Sequence, residues 1–203
     1  VVTISHEGYI KRMSPRAYRV QHRGGRGVTG MKTKEEDFVQ HLFVASTHSY
    51  LMFLTSKGKC YWLKVYRIPE GERAARGRPL VNLLQIDQDD QICAIVSLRD
   101  FSDDKYLFTT TRRGIVKKTV LSAYQNIRRD GIIALKIHEG DDLIGAAIID
   151  EDQDITLITS SGRSMRFNEE EVRPMGRVST GVKGISLRER DEVVDMVVVS
   201  SSD

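Results

Sequence analysis

Seven consecutive residues, Gln21–Gly27, combine side chains that can bind an anion: two arginines, a glutamine and a histidine among three glycines. An arginine keeps its charge at physiological pH and presents a planar set of donors that fits phosphate. Glycine has no Cβ, so the backbone can come close to a surface. The segment therefore predicts a loop that lies against the phosphates of DNA, with a Gly-rich surface loop of no special role as the alternative.

The same region formally matches two nucleotide-binding patterns, and its context excludes both. Residues 25–30 read G-x-G-x-x-G, but no buried strand precedes them, no apolar helical pattern follows, and no acid lies between Phe38 and Pro69. A P-loop would need a lysine at the position of Met31. We therefore exclude a dinucleotide site and a P-loop.

No other residues of the chain form a recognisable reactive set. The sequence has no G-x-S-x-G, and its five histidines are scattered, so neither a nucleophile–base pair nor a zinc site can be argued. Cys60 and Cys93 each lie in an apolar run, which favours buried free thiols over a disulfide. No run approaches the roughly 20 apolar residues of a membrane span. We expect no catalytic residue, no metal and no membrane partner.

Charge is distributed in alternating blocks that the net value of +3 conceals. Residues 1–35 hold eight Lys/Arg against two Glu, residues 57–78 hold seven against two, and residues 112–129 hold six against none. Between them, residues 87–104 hold six Asp against one Arg, and residues 139–154 hold seven acids and no base. Such regular alternation indicates an internal repeat.

The repeat is marked by turns of the form Ser/Thr-x-x-Gly, each between two short apolar runs. The turn glycines are Gly8, Gly58, Gly114 and Gly162, and a second glycine follows each by 17 to 19 residues, at Gly27, Gly77, Gly131 and Gly181. An aspartate follows at Asp37, Asp90, Asp142 and Asp191, each before another apolar run. Apolar runs around a glycine turn predict β-hairpins, and no sustained helical pattern occurs.

Four strand-like segments in each of four repeats of about 50 residues predict an all-β, propeller-like arrangement of antiparallel sheets. We place the blades approximately at residues 1–44, 45–97, 103–150 and 153–199 of one domain or fragment. In each repeat the basic block lies in the hairpin and the loop to the second glycine. If the blades stand around an axis, these loops form a basic band along one rim.

Residues 21–27 resemble the signature box of the bacterial DNA gyrase A subunit: Gln, any residue, Arg, Gly, Gly, Lys or Arg, Gly. Together with the four repeats, they make the whole chain similar to the C-terminal domain of that protein. The resemblance implies a β-pinwheel, usually of six four-stranded blades that exchange strands between neighbours, of which four repeats are present here. The corresponding protein of topoisomerase IV shares the blades but has a degenerate or absent box, and its C-terminal domain is the alternative within this class.

The resemblance implies a non-catalytic domain that wraps double-stranded DNA, so that the parent enzyme introduces negative supercoils using ATP. The partners it implies are a gyrase A homodimer with gyrase B subunits in the bacterial cytoplasm, at the nucleoid. It implies no cofactor in this chain, with ATP and Mg in the parent, an ATP-dependent type II DNA topoisomerase. A propeller-like module that binds an acidic protein is the alternative from another class.

The predicted DNA-binding residues fall into two groups. Arg23 and Arg26 would contact phosphates, supported by Gln21 and His22, while Gly24, Gly25 and Gly27 allow close approach. The residues that would extend the basic band are Lys11, Arg12, Arg76, Arg78, Lys117, Lys118, Arg128 and Arg129.

Overall fold

The computed structural model describes residues 1–17, 31, 37–72, 74–126 and 128–200. Over these residues the regular structure consists of β-strands and five single-turn 3-10 helices, and no α-helix occurs. The 3-10 helices are Pro15–Ala17, Val65–Arg67, Leu80–Asn82, Leu121–Tyr124 and Glu169–Glu171. The predicted all-β class is therefore confirmed.

A β-hairpin opens each repeat, as predicted. The hairpins are β1 (Val2–Ser5) with β2 (Tyr9–Arg12), β4 (Tyr50–Thr55) with β5 (Lys59–Lys64), β8 (Tyr106–Thr111) with β9 (Ile115–Val120), and β12 (Gln153–Thr159) with β13 (Ser164–Asn168). The four turn glycines have φ between +79° and +87°, a conformation that L side chains rarely adopt, which explains why glycine recurs there.

An outer strand completes the part of each sheet that comes from a single repeat. These strands are β3 (Val39–Phe43), β7 (Ile92–Leu98), β11 (Leu143–Ile149) and β15 (Val193–Ser200). Each neighbours the first strand of its own hairpin, and the pairing is antiparallel at β3, β11 and β15.

The fourth strand of a sheet comes from the following repeat. Three strands of two residues each, β6 (Arg78–Pro79), β10 (Ile132–Ile133) and β14 (Val182–Lys183), pair antiparallel with β2, β5 and β9. Each lies one or two residues beyond a second marker glycine, Gly77, Gly131 or Gly181. The sheets therefore cross the predicted blade ranges, because each of these strands is lent to the sheet of the preceding repeat.

The four sheets have the strand orders β3-β1-β2-β6, β10-β5-β4-β7, β11-β8-β9-β14 and β13-β12-β15. We call them the first to fourth sheets. The chain divides into two compact units, Val1–Tyr50 with Leu63–Gln85, and Leu51–Trp62 with Ile86–Asp203. The first sheet lies in the first unit, and the third and fourth sheets lie in the second.

The core of the second unit includes a cluster of buried apolar side chains from the third and fourth sheets. Its members include Phe108, Val116, Ile149, Ile155 and Leu157. These residues come from neighbouring strands of two sheets, so burial of their apolar surface stabilises both sheets together. Cys60 is buried, Cys93 is partly buried, and both are free thiols, as predicted.

Candidate nucleic-acid interface

The lent strands place one segment of each later repeat along the edge of the preceding sheet. We call residues 69–79, 125–134 and 172–183 the exchange segments, since each leads from a hairpin to its lent strand. A Cβ on Gly77 would lie 2.5 Å from the carbonyl oxygen of Ile10 in β2, and one on Gly181 would overlap that of Val116 in β9. These glycines therefore let the exchange segments approach the neighbouring strand.

The residues predicted as the main DNA contacts lie outside the described part of the chain. These are Gln21, His22, Arg23, Gly24, Gly25, Arg26 and Gly27. Their role stays a prediction from the sequence.

Four of the other predicted contacts lie on exchange segments. Arg78, Arg128 and Arg129 are exposed, and Arg76 is half-buried. The Arg76 guanidinium pairs with Glu7 at 3.3 Å and lies over the Tyr9 ring, 3.9 Å from its centroid. The three exposed arginines present charge to solvent on the exchange segments of two repeats, within three residues of the second marker glycine.

Two basic residues at the end of β2 contact the second repeat. Lys11 contacts its exchange segment, and Arg12 contacts this segment and Ile68, the residue before it. Arg12 Nε donates to the Ile68 carbonyl at 2.8 Å, and Nη1 lies 3.5 Å from Glu70 Oε2. Lys11 has no exposed surface, and its Nζ donates to the Glu72 carbonyl at 2.8 Å. Burial lowers the pKa of Lys11. The prediction that Lys11 extends the basic band is wrong, because its ammonium group is enclosed by the protein.

Lys117 and Lys118 in β9 are buried in the same way. Lys117 has no exposed surface, and its Nζ donates to the carbonyls of Ala134, at 2.7 Å, and of Arg177. Burial is the main cause that lowers its pKa to about 8, with a smaller contribution from the Arg177 charge. Lys118 is 5% exposed, and its Nζ lies 2.5 Å from Glu169 Oε2. For both lysines the predicted phosphate contact is wrong, since neither ammonium group faces solvent.

Basic residues that were not among the predicted contacts also lie on the exchange segment of the fourth repeat. Arg173 and Lys183 are exposed and Arg177 is half-buried, all within the third exchange segment. Arg177 Nη1 donates to the Ile133 carbonyl, which fixes the guanidinium beside the second exchange segment. Their positions relative to Gly181 could have identified them as part of the basic band. The three glutamates of residues 169–171 reduce the net charge of this block and concealed the signal.

Aspartate side chains accept hydrogen bonds from the hairpin turns, and their negative charge partly offsets the basic charge of these turns. Asp37, Asp90, Asp141 and Asp191 each accept a hydrogen bond at 2.9 to 3.2 Å from a backbone N–H in the turn of their own repeat. In the third repeat this role belongs to Asp141 and not to the marker Asp142. Hydrogen bonds, first of all from the Ser161 hydroxyl, hold the pKa of Asp191 well below its usual range.

Arg112 shows why the turn of the third repeat is a poor phosphate site. Its guanidinium contacts Asp142 at 3.2 Å and Glu192 at 3.1 Å, and it also donates to the Gly140 carbonyl at 2.8 Å. A cation already shared between two carboxylates has little charge left for a third anion. Arg112 is therefore a weaker candidate for a phosphate contact than the exposed Arg78, Arg128 and Arg129.

Neither a metal-binding cluster nor a membrane-spanning helix occurs among the residues that the structure describes. No group of three or more His, Cys, Asp or Glu side chains there could hold a metal ion. None of the helices in the same part of the chain has the length and apolar character to span a membrane.

A family model described as the DNA gyrase C-terminal domain, beta-propeller, matches residues 1–46, 49–97, 105–150 and 153–200. The DNA gyrase A subunit of Halalkalibacterium halodurans is 50% identical over 186 residues, 92% of this chain and 22% of that protein. The DNA gyrase A subunit of Staphylococcus aureus is 45% identical over 203 residues, 100% of this chain and 23% of that protein. The chain thus spans less than a quarter of the length of these curated relatives.

Two solved structures of C-terminal domains are similar to this chain in fold. A DNA topoisomerase IV C-terminal domain superposes with a TM-score of 0.82 at 27% identity, covering 100% of this chain and 61% of the other. A DNA gyrase A C-terminal domain superposes with a TM-score of 0.78 at 26% identity, covering 98% and 64%.

Proposed function

The chain belongs to the family of DNA gyrase C-terminal domains, and from that premise we propose that it binds and wraps double-stranded DNA without catalysing a reaction itself. The duplex bends around the exchange segments, and the wrap directs the parent topoisomerase to introduce negative supercoils. ATP and Mg²⁺ act in parts of the enzyme outside this chain. The parent enzyme pairs two gyrase A chains with two gyrase B chains in the bacterial cytoplasm, at the nucleoid.

One observation carries the proposal: exposed arginines recur on exchange segments, close to the second marker glycine. Arg78 follows Gly77 directly, while Arg128 and Arg129 stand three and two residues before Gly131. A charge that recurs once per structural unit suits a polymer whose own charge recurs along its length. Binding of this kind reads the phosphate backbone and not the bases, so it needs no recognition helix.

The energies are compatible with wrapping. Bending a site of roughly 20–30 base pairs by 40–90° costs on the order of 1–6 kcal/mol by elastic estimates. About six phosphate contacts would offset this cost and would make affinity fall about 10³-fold between roughly 50 and 200 mM salt. A few arginines in each repeat, with Arg23 and Arg26, supply contacts of that number.

The decisive experiment replaces Arg23 and Arg26 together by alanine in the full-length gyrase A protein, reconstituted into the whole enzyme. We expect supercoiling to be lost while relaxation of supercoiled DNA remains, because relaxation needs strand passage but no directed wrap. Supercoiling equal to that of the parent enzyme would refute the role of these arginines. Loss of both activities would indicate a folding defect and calls for the single variants.

The chain is also similar in fold to the C-terminal domain of topoisomerase IV, so topoisomerase IV is the second candidate for the parent enzyme. We expect a gyrase domain to wrap DNA with a fixed hand, because the segment Gln21–Gly27 would anchor and bend the duplex. Topology of a nicked plasmid, closed by ligase while bound to the chain, distinguishes the two candidates: a constant shift in linking number per chain supports the gyrase assignment. No duplex binding at about 100 mM salt would instead favour a module for an acidic protein.

A further inference from the structure

We propose that Lys117 is a positioning residue: its buried ammonium group holds the exchange segments of the third and fourth repeats so that Arg177 can contact DNA phosphate. Lys117 itself does not touch the DNA. The inference rests on the proposed DNA binding and adds to it a buried residue and a phosphate contact in the fourth repeat.

The contacts of Lys117 join backbone from two successive repeats. The residue lies in β9, three positions after the turn glycine Gly114. Its Nζ donates to the carbonyls of Ala134 and Arg177, with that of Gly176 at 3.5 Å. Ala134 belongs to the second exchange segment, and the other two acceptors belong to the third. Three donors on one ammonium group thus match three carbonyls.

Arg177 is fixed at both ends by this arrangement. Its carbonyl accepts from Lys117, and its guanidinium donates from Nη1 to the Ile133 carbonyl. The Lys136 N–H, two residues beyond the second exchange segment, donates to the Ser179 carbonyl of the third at 3.3 Å. A guanidinium has five N–H donors, so Arg177, which is half-buried, keeps donors for a phosphate oxygen.

The sheet itself does not require a lysine at this position. The residues three positions after the turn glycines of the second and fourth repeats are Tyr61 and Met165. Burying an ammonium group is costly unless its donors are satisfied, so an apolar side chain would suit packing alone. Burial lowers the Lys117 pKa, which reflects this cost. We therefore infer that the role of the ammonium group is to donate hydrogen bonds to these main-chain carbonyls.

A second instance of the same contact occurs in the first unit. Lys11 lies three positions after Gly8, is fully buried, and donates from Nζ to the Glu72 carbonyl in the first exchange segment. Two lysines at corresponding positions thus hold exchange segments by their main-chain carbonyls. The arrangement recurs in separate units, which argues against an accident of local packing.

The test is a double-mutant cycle of Lys117→Met and Arg177→Ala, measured as affinity for a duplex of about 40 base pairs at several salt concentrations. Methionine nearly matches lysine in volume and occurs at the corresponding position of the fourth repeat. We expect each single change to weaken binding about fivefold, and the double variant to bind within about twofold of Arg177→Ala alone. Additive losses would overturn the proposal, since Lys117 would then act independently of Arg177.

A charge-matched control separates positioning from net charge. Lys105→Met removes one positive charge from a partly exposed residue that pairs with Asp150 at 3.5 Å. Its affinity should stay within about twofold of the parent. A loss equal to that of Lys117→Met would overturn the proposal, because a change in total charge would then explain both.

Amide hydrogen exchange tests the positioning without DNA. In Lys117→Met, the amides of residues 175–183 should exchange at least about tenfold faster, while those of β8 and β12 keep their rates. Unchanged rates at residues 175–183 would overturn the proposal. If Lys117→Met does not fold, Lys11→Met provides the same measurement on residues 69–79, and unchanged rates there count equally against the proposal.

DNA binding by the chain and the positioning role of Lys117 can be refuted separately. If the parent chain does not bind duplex DNA, the proposed function falls, and hydrogen exchange still decides whether Lys117 positions the segments. If the parent binds but Arg177→Ala binds equally well, the proposed function stands and the role of Arg177 is refuted.

Discussion

At the scale of single residues, the sequence shows the charge of a lysine but not the direction of its side chain. Lys11, Lys117 and Lys118 fit the predicted basic band by composition, yet all three are buried. In a strand of alternating faces, one side chain of such a pair would ordinarily face solvent. Here the exchange segment of the following repeat covers the second strand of the hairpin, so these lysines are buried. That segment is distant from the hairpin in the sequence.

Lys117 should make stability depend on pH in the alkaline range. Its pKa is about 8 in the folded protein and near the ordinary value of 10.5 in the unfolded chain. Between these values the unfolded state binds more protons, so the free energy of unfolding contributed by this group rises with pH. Denaturant unfolding from pH 7 to 10.5 measures this effect. Above pH 8, the free energy of unfolding of the parent should rise relative to that of Lys117→Met.

Cys60 acts in the opposite sense, because burial raises its pKa to about 12. The Lys117 charge lowers the Cys60 pKa, so the contribution of Cys60 does not cancel between the two proteins, and both should carry Cys60→Ala. A difference that stays constant from pH 8 to 10.5 would contradict the assignment to Lys117.

The buried pair of Lys118 and Glu169 should be costly to break from one side only. Both side chains are about 5–6% exposed, and the ammonium group also donates to the Glu169 carbonyl at 3.0 Å. Lys118→Met leaves a buried carboxylate without its partner and should lower the free energy of unfolding by about 3–5 kcal/mol. Adding Glu169→Gln should recover at least about half of this loss. Equal stability of the single and double variants would show that the charge is not the cause.

At the scale of elements, the hairpins were predictable because their signals are local. Each turn has a glycine at positive φ between two apolar runs, and this pattern can be recognised within about twelve residues of sequence. The lent strands β6, β10 and β14 are two residues long and pair through their backbones. A strand of that length has no alternation to detect, so only the recurring second glycine indicated its position.

Replacing Gly181 by alanine tests the strand exchange directly. Gly181 has φ +108°, and a Cβ there would overlap the carbonyl oxygen of Val116. Gly181→Ala should lower the free energy of unfolding by about 2 kcal/mol or more. Gly176→Ala is the control, because a Cβ there meets nothing within 4 Å. It should change stability by less than about 0.5 kcal/mol. Equal effects of the two changes would argue against the close approach.

At the scale of the whole molecule, the residues predicted the period and the fold class, while the sharing of strands between repeats was expected only from the family resemblance. A net charge of +3 indicates little about partners, whereas the block pattern indicated where a polyanion would bind. Within those blocks, Arg78, Arg128 and Arg129 are exposed on exchange segments, where they can meet a partner. The buried lysines belong to the architecture, and composition alone cannot separate the two groups.

The exposed arginines should determine how affinity depends on salt. Arg128→Ala with Arg129→Ala removes two proposed phosphate contacts, so the slope of log affinity against log salt should become shallower by about 1.8. Fluorescence anisotropy of a labelled duplex between about 50 and 200 mM salt measures this slope. An unchanged slope would exclude these two arginines from the contact. Arg112→Ala is the comparison and should leave the slope nearly unaltered, since its charge is engaged by Asp142 and Glu192.

The lending of strands also constrains how such a chain can change its length during evolution. Excising residues 103–150, one apparent repeat, would remove β10 along with the third hairpin and deprive β5 of its neighbour. The exchange segment of the repeat that then comes next, residues 172–183, would have to pair with β5 instead, which requires its glycine to lie at the matching distance. Gains and losses of whole repeats should therefore keep the interval between turn and second glycine nearly fixed, while loop lengths elsewhere drift.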